Sequence, residues 1–250
     1  MLNPKLLPTK QMYGELQDAF DFFNAELFFR ILGSELPQCL ITLQRKHNTM
    51  GYFSPGRHTN LQGDKVDEIA MHPGFFPLQT TSEIMQTLVH EMCHGYQHHY
   101  GNPGRARYHN KELADIARNV GLIFSDTGRP GGRPTGDSMS DYVDEEGPFE
   151  VACKKLLSTK FALSWLDRFP ISIENMATTK HQLSEEVDVP MSDQDLERLE
   201  INVVDHVTRK KSTFAYTCPI CAVKAWGKPN LLIGCLTCNE PMKIEGEKIE

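Results

Sequence analysis

The segment from 81 to 101 constrains the fold more than any other part of this sequence, because it predicts one long amphipathic helix. Its apolar residues recur at the spacing of one helix side: Ile84, Met85, Leu88, Val89 and Met92. Thr81 or Ser82 can cap the start, and Gly101 ends the helix. A helix with such a continuous apolar side requires a sheet or other helices to pack against.

The polar side of the same helix carries His90, Glu91 and His94. Positions four apart lie one above the other on a helix, so the two imidazoles project the same way and can share one ion. Glu91 lies about 100° round the axis from His90, beside the ligands. This is the H-E-x-x-H arrangement, in which the carboxylate acts on metal-bound water, so the spacing predicts a catalytic zinc site.

A catalytic zinc usually has three protein ligands and one open position, so a third ligand is needed. His98 lies about 12 Å along the axis from the first histidine, which excludes it from the site, and His99 points to another face. His109 is the favoured third ligand, because a loop returns the chain and places it at the start of the next helix. Glu112, just inside that helix, is the alternative. The remaining histidines are interpreted as ordinary polar or surface residues: His47, His58, His72, His181 and His206.

The flanking segments predict an α+β domain with helices packed on a short antiparallel sheet. A first helix from Met12 to Leu32 has one apolar stripe and ends at Gly33. The stripe consists of Leu16, Phe20, Phe23, Leu27 and Ile31. Three β-rich runs follow, "CLITLQRK", "TMGYFSP" and "DEIAMHP", and the first two are expected to pair antiparallel through a turn at His47 and Asn48. A further helix begins at the cap Asn110 and stops at Gly121.

The second half of the sequence is less regular. Gly, Pro and Ser crowd the stretch 125–142, which is expected to be an irregular loop. Residues 148–168 predict a short strand and a helix, and the acidic residues 180–200 predict a linker with one exposed helix.

Seven cysteines include two C-x-x-C pairs near the C-terminus, Cys218 with Cys221 and Cys235 with Cys238. Two such pairs around a short β-rich insert predict a closed tetrahedral zinc site of structural type, a zinc ribbon. A redox role for one pair is weaker, because the pairs are doubled and no thioredoxin-like pattern surrounds them. The other three are expected to be buried thiols: Cys39, Cys93 and Cys153.

Charge and hydropathy limit the partners and the location. The formal net charge is -7, yet residues 207–229 carry five Lys and Arg and no acid. The simpler interpretation of that run is a solvated face, and the more specific one is a DNA contact through the basic ribbon region. Trp226, between Lys224 and Lys228, could stack on single-stranded nucleic acid or cover the ribbon. No apolar run suits export or a membrane span, so we expect a cytoplasmic protein without membrane contact.

"TLVHEMCHGYQHHYG" followed by "YHNKELADIARNVGL" resembles the SprT-like family of zinc metallopeptidases, which includes the Spartan-type proteases of DNA-protein crosslinks. The resemblance covers about residues 10–142, with "GYFSP" and "DEIAMHP" before the motif. It implies a zincin-like peptidase fold, a third zinc ligand at His109 and a C-terminal zinc ribbon. Cys93 departs from the pattern, because larger apolar residues are usual at that letter of the motif; a free cysteine behaves as a small hydrophobe.

These observations predict a peptidase domain over 10–142, an acidic connecting segment over 143–212 and a zinc ribbon over 213–250. The expected function is zinc-dependent cleavage of peptide bonds in a protein or peptide substrate, with Glu91 as the catalytic base. DNA-associated substrates are implied by the resemblance alone. "DEIAMHP" is expected to offer a sheet edge to the substrate, and Tyr108 and Tyr142 are candidate oxyanion donors. The alternative is a non-catalytic zinc-binding regulatory or nucleic-acid-binding protein that retains the fold.

Overall fold

The structure is a computed structural model of the chain, and it describes residues 7–46, 49–105, 108–171, 188–204 and 213–244. Two compact units divide the chain: unit 1 is Met1–Asp205 and unit 2 is His206–Glu250. Helices and small sheets together make a mixed α+β fold. Within the described ranges, no helix combines the length and the apolar character that crossing a membrane requires.

Unit 1 contains five α-helices and five short strands among its described residues. Its α-helices are α1 Pro8–Phe23, α2 Thr81–Tyr100, α3 Lys111–Asn119, α4 Pro148–Ser158 and α5 Asp193–Arg198. Its strands are β1 Leu40–Leu43, β2 Gly51–Thr59, β3 Lys65–Met71, β4 Leu122–Ser125 and β5 Ser140–Val143. A π-helical turn, Asn24–Leu32, continues α1, and a 3-10 helix, Pro73–Leu78, precedes α2.

The first helix is present and ends where the sequence predicted, but it begins at Pro8, four residues before the predicted start, and its winding changes once. It ends at Gly33, whose φ of 84° is the left-handed conformation that glycine adopts readily. Four residues of the predicted stripe are buried, but Ile31 is 41% exposed and Phe28 is fully buried in its place. The π-helical segment causes this shift, because its i→i+5 winding rotates the later side chains away from the α-helical stripe.

The sheet of unit 1 has the order β1-β3-β2, so the predicted antiparallel pairing of the first two strands is wrong. β1 pairs with β3 in parallel, and β2 pairs with β3 antiparallel. Burial explains the order. From Glu68 to Met71 every residue of β3 is buried, on both faces, as expected of a central strand. The sheet is therefore mixed, and the edge that "DEIAMHP" was expected to offer is already paired on both sides. The predicted turn at His47 and Asn48 lies outside the described residues.

Helix α2 is capped by Thr80, one residue before the predicted caps. The Thr80 hydroxyl accepts the Glu83 N–H at 3.2 Å, and the Glu83 carboxylate accepts the Thr80 N–H at 2.8 Å. This reciprocal capping box fixes the start of the helix, and the threonine-x-x-glutamate spacing was its signal in the sequence.

A second carboxylate reaches the same helix end from far along the chain. The buried Asp188 accepts the N–H of Thr81 at 3.0 Å and of Ser82 at 2.7 Å. Both oxygens thus satisfy amides that have no partner inside the helix, and the negative charge lies at the positive end of its dipole. The segment after Asp188 carries α5, which buries none of its residues, as expected of an exposed helix.

The core of unit 1 forms around the predicted apolar side of α2, which is buried throughout. Helix α1 packs against it, and α4 completes the layer: the rings of Phe23 and Phe149 stack at 5.8 Å. Residues 148–168 form α4 but no strand, so the short strand predicted there is wrong. Asn110 caps α3 as predicted, with its side-chain oxygen 3.0 Å from the Leu113 N.

The Gly- and Pro-rich stretch 125–142 is irregular only in its middle. Its two ends belong to β4 and β5, which pair antiparallel in a long hairpin that the sequence interpretation missed. Both strands are short, and β5 reads Ser-Asp-Tyr-Val, which has no alternation of apolar and polar residues.

Unit 2 is built of very short strands: β6 Phe214–Thr217, β7 Lys224–Gly227, β8 Gly234–Cys235, β9 Glu240–Pro241 and β10 Lys243–Ile244. They form a sheet of order β10-β6-β7 and a two-stranded β8-β9 ladder. Tyr216 is its largest buried side chain, with its hydroxyl donating to the Lys228 carbonyl at 2.7 Å.

Candidate metal centres

Three imidazoles of unit 1 converge on one point. His90 and His94 come from consecutive turns of α2. His109 precedes the cap of α3, where its backbone exchanges hydrogen bonds with Gly136 in the hairpin loop at 2.8 and 3.1 Å. The Nε2 atom of His109 lies 3.2 Å from that of His90 and 3.1 Å from that of His94. Two nitrogens bound to one tetrahedral zinc are about 3.3 Å apart, so the three residues fit this ion.

A carboxylate behind the cluster orients one of these rings. The Asp141 Oδ2 atom is 3.1 Å from His90 Nδ1, and the Gln86 side-chain amide donates to Asp141 Oδ1 at 2.9 Å. With Nδ1 engaged, His90 offers Nε2 to the cluster, the arrangement that metal-binding histidines commonly show. The sequence interpretation missed Asp141, because it lies in the undetected strand β5 and no motif connects it to α2.

The environment shifts the pKa values of the two helix imidazoles in opposite directions. Burial lowers the pKa of His90, but the adjacent Asp141 carboxylate outweighs it, and the pKa is raised. Burial and the neighbouring His90 and His109 rings hold the pKa of His94 well below its ordinary value. His94 is therefore neutral at physiological pH, which is the form that binds metal.

Glu91 is buried beside the three imidazoles, with 7% of its surface exposed. Burial raises the pKa of its carboxyl to about 7, partly offset by His90, and Asp141 raises it further. The backbone N–H of Phe53 in β2 hydrogen-bonds to this carboxyl. Gly51, in the same strand, lies close enough that a Cβ atom there would be 3.2 Å from Glu91 Cγ. The edge strand β2 thus holds the carboxyl in place beside the cluster.

Unit 2 brings the predicted cysteines together. The ligand atoms of Cys218, Cys221, Cys235 and Cys238 all lie within 4.8 Å of one another, and the Sγ atoms of Cys221 and Cys235 are 3.6 Å apart. Sulfurs on one tetrahedral zinc are about 3.8 Å apart, so this group also fits the ion. Each C-x-x-C pair is followed by a residue at positive φ, Ala222 at 57° and Asn239 at 53°, which turns the chain back at each pair.

Comparisons with known proteins match part of the chain. A family model described as SprT-like matches residues 16–130, which include the three histidines and Glu91. A protein of Salmonella typhimurium described as "Uncharacterized protein in mucB 3'region" is 53% identical over 64 residues, 25% of this chain and 81% of that protein. The chain belongs to the SprT-like family. No solved structure matches the chain significantly.

Other residues near the SprT-like cluster have different positions. Glu112, the alternative third ligand, accepts the Asn102 N–H and the Gln97 side-chain amide, each at 2.7 Å, and is not part of the imidazole group. These donors lower the pKa of its carboxyl. His98 and His99 lie outside the cluster, as predicted. Tyr108 precedes His109 and is partly exposed, and Tyr142 follows Asp141 in β5.

Two smaller expectations about this SprT-like chain require correction. His72 was expected among ordinary polar or surface histidines, but it is 2% exposed and its Nδ1 accepts the Gly74 N–H at 3.1 Å. It is the residue that caps the 3-10 helix before α2, which explains its burial. Cys93 and Cys153 are buried as expected, whereas Cys39 is only half-buried. Burial raises the pKa of the Cys153 thiol to about 12, so this thiol is inert.

Proposed function

We propose that this protein is a zinc-dependent endopeptidase, with zinc held by His90, His94 and His109 and with Glu91 as general base. The observation that carries the proposal is the convergence of three Nε2 atoms with a buried carboxyl beside them. Family membership supports it, because the resemblance to SprT-like sequences implies metallopeptidase activity. The finer description of the fold, a zincin-like peptidase domain followed by a zinc ribbon, belongs to the same proposal.

The residues around the cluster supply the proton transfers. When bound, zinc lowers the pKa of a water molecule to about 7 and polarises the carbonyl under attack. Glu91 takes the proton of the attacking water and then delivers it to the departing nitrogen. A carboxyl whose pKa burial raises to about 7 can both accept and donate a proton near neutral pH. The Phe53 N–H keeps it oriented, and Asp141 keeps His90 in the tautomer that offers Nε2.

The edge of β2 is the best candidate surface for an extended substrate. β3, which the sequence suggested, is the central strand and has no free edge. β2 is the edge strand, and Gly51 and Phe53 place it against Glu91. A peptide added beside β2 as a further strand would therefore pass along the proposed catalytic carboxyl.

The second zinc of the proposal is structural and is held by the four cysteines of unit 2. The DNA contact is proposed for the same unit, because Trp226 is 69% exposed and the neighbouring Lys228 is also exposed. An exposed ring among cations suits stacking on an unpaired base. DNA-associated proteins as substrates are proposed from the family resemblance and from this surface.

The test compares Glu91→Gln with the parent protein on a denatured protein substrate, with and without DNA. Glu91→Gln should retain zinc and lose cleavage by about 10²–10⁴-fold, because only proton transfer is removed. Glu112→Gln is the matched control, since it removes a nearby carboxylate outside the cluster, and it should keep both zinc and cleavage. Equal cleavage by parent and Glu91→Gln would leave the non-catalytic alternative standing.

A further inference from the structure

A second group of metal-ligand side chains lies in unit 1, where β3 meets the C-terminal turn of α2. Asp67, His98 and His99 each offer a ligand atom, and these atoms all lie within 4.8 Å of one another. His98 follows His94 by four residues, which places it about 6 Å further along the axis. This group is therefore separate from the proposed catalytic cluster, and no step of the proposed reaction uses it.

The carboxylate of the group is already oriented by the fold. Asp67 Oδ1 accepts the backbone N–H of Gly56 at 2.7 Å, at the irregular step of β2. Its Oδ2 lies 2.6 Å from His99 Nε2. The Asp67 side chain is 14% exposed and the His99 side chain 28%, and both histidines are exposed residues, so the carboxylate is sheltered while the imidazole side is open to solvent.

An ordinary histidine–carboxylate hydrogen bond explains the position of His99 but not that of His98. The His98 ring lies against the rings of Phe53 and His99, at 5.8 and 5.0 Å, and makes no hydrogen bond to any residue that the structure describes. One of its ring nitrogens nevertheless lies within 4.8 Å of the ligand atoms of the other two residues. Among the described residues its nitrogens have no hydrogen-bond partner to lose when an ion binds.

The charge environment also favours a cation at this place. The C-terminal end of a helix carries the negative end of its dipole, and both histidines lie in the last turn of α2. Two imidazoles and one carboxylate select zinc, cobalt, nickel or iron(II) over magnesium and calcium, which prefer oxygen ligands. Three protein ligands leave further positions for water, so the ion would exchange with solvent.

We propose that Asp67, His98 and His99 form a third metal site, which takes an exchangeable divalent transition ion and links the end of α2 to β3. The chain would then hold the ion at this site in addition to the two zinc sites of the proposed function.

The test counts zinc bound to the untagged full-length protein after equilibrium dialysis at raised free zinc, with metal measured by mass spectrometry. The parent should bind about one more zinc per chain than either His98→Gln or Asp67→Asn. Asparagine keeps the acceptor for the Gly56 N–H, so the second variant removes charge with little change of structure. His58→Gln is the matched control, because His58 lies 3.3 Å from the Glu68 carboxylate in a histidine–carboxylate pair without a second imidazole. It should bind as much zinc as the parent.

A second measurement uses the parent protein alone, in case a variant fails to fold. Added zinc should protect His98 and His99 from carbethoxylation, mapped by fragment-ion mass spectrometry, while His58 stays reactive. Equal zinc counts in all variants, or no protection of His98 and His99, would overturn the third site. Repeating the count with His90→Ala separates this result from the proposed catalytic site, because that variant should still bind the additional zinc at the third site.

Discussion

The imidazole cluster of unit 1 and the thiolate cluster of unit 2 differ in what holds their ligands in place. The imidazoles lie on helices whose packing sides are buried in a large core, and Asp141 and the Asn110 cap orient them further. The cysteines lie in or near strands of two to four residues, and Tyr216 is the only other buried apolar side chain among the described residues of unit 2. The fold arranges the first cluster, whereas we expect the fold of the second to depend on the zinc proposed for it.

Metal removal should show this difference most strongly. Structural zinc contributes about 10–16 kcal/mol in zinc-finger peptides at pH 7, so a strong chelator should unfold residues 213–244 while unit 1 stays folded. Hydrogen exchange read by mass spectrometry would show fast exchange in unit 2 and continued protection in α2. Cys218→Ser should have the same effect, and Cys39→Ser, at a half-buried thiol of unit 1, is the control. Loss of protection in α2 on chelation would contradict a metal-independent core.

Asp141→Asn should weaken zinc at the imidazole cluster alone. Removal of a carboxylate that orients a metal-binding histidine lowers metal affinity by about 10–100-fold, because the ring loses its fixed tautomer and part of its basicity. Competition with a chromophoric chelator would measure this loss, with the thiolate site unchanged in the same sample. Asp137→Asn is the control, since Asp137 lies in the same hairpin but pairs with Arg105 at the surface.

Thr80→Ala should lower the stability of unit 1 by about 1 kcal/mol, because it removes half of the capping box of α2. Denaturant unfolding followed by far-UV circular dichroism would measure it. Ser192→Ala removes the equivalent cap of the exposed helix α5 and should have a smaller effect. A zinc affinity of Thr80→Ala that differs from that of the parent protein would show that the cap also positions the zinc ligands.

The last expected effect, of about the same size, is a pH dependence of stability near α3. Amide donors lower the folded-state pKa of Glu112. Its ionised carboxylate therefore contributes fully to folding stability above the ordinary carboxyl pKa, and this contribution is lost as pH falls through the lowered value. Glu112→Gln should reduce stability at neutral pH by about 1 kcal/mol, and the stability of the variant should then fall less steeply as pH is lowered. Unfolding curves from pH 7 down to about pH 3 would test the sign. A larger difference at acid pH than at neutral pH would contradict it.

The sequence was most informative where residues close together in the chain determine the geometry. The helical spacing of His90 and His94, the rise that excludes His98, and the doubled C-x-x-C pairs all depend on residues close together in the chain. The structure brings the three histidines and the four cysteines into two groups whose ligand atoms lie within 4.8 Å of one another, and His98 lies outside the first group. The limits of the three predicted segments stay predictions; the structure adds that α4, beyond residue 142, contributes core side chains such as Phe149.

What the sequence did not reveal depends on contacts between distant residues. The order of the sheet follows from burial of β3 on both faces, which no run of seven residues displays before folding. Asp141 acts on His90 across 51 residues, from a polar strand without alternation. The shift from Ile31 to Phe28 arises from a change of winding that the apolar pattern alone does not encode.

The carboxylate of Asp188 has a consequence for how the protein can be divided. It closes the first turn of α2 across 107 residues, from a position well past the region that the family model matches. These hydrogen bonds form readily because the intact backbone keeps Asp188 at a high effective concentration near the helix end. A fragment trimmed to the matched region would keep the three imidazole ligands but would leave the N–H groups of Thr81 and Ser82 without this carboxylate. If the chain were cut before Asp188, the same hydrogen bonds would form between two separate molecules and would weaken as the protein is diluted.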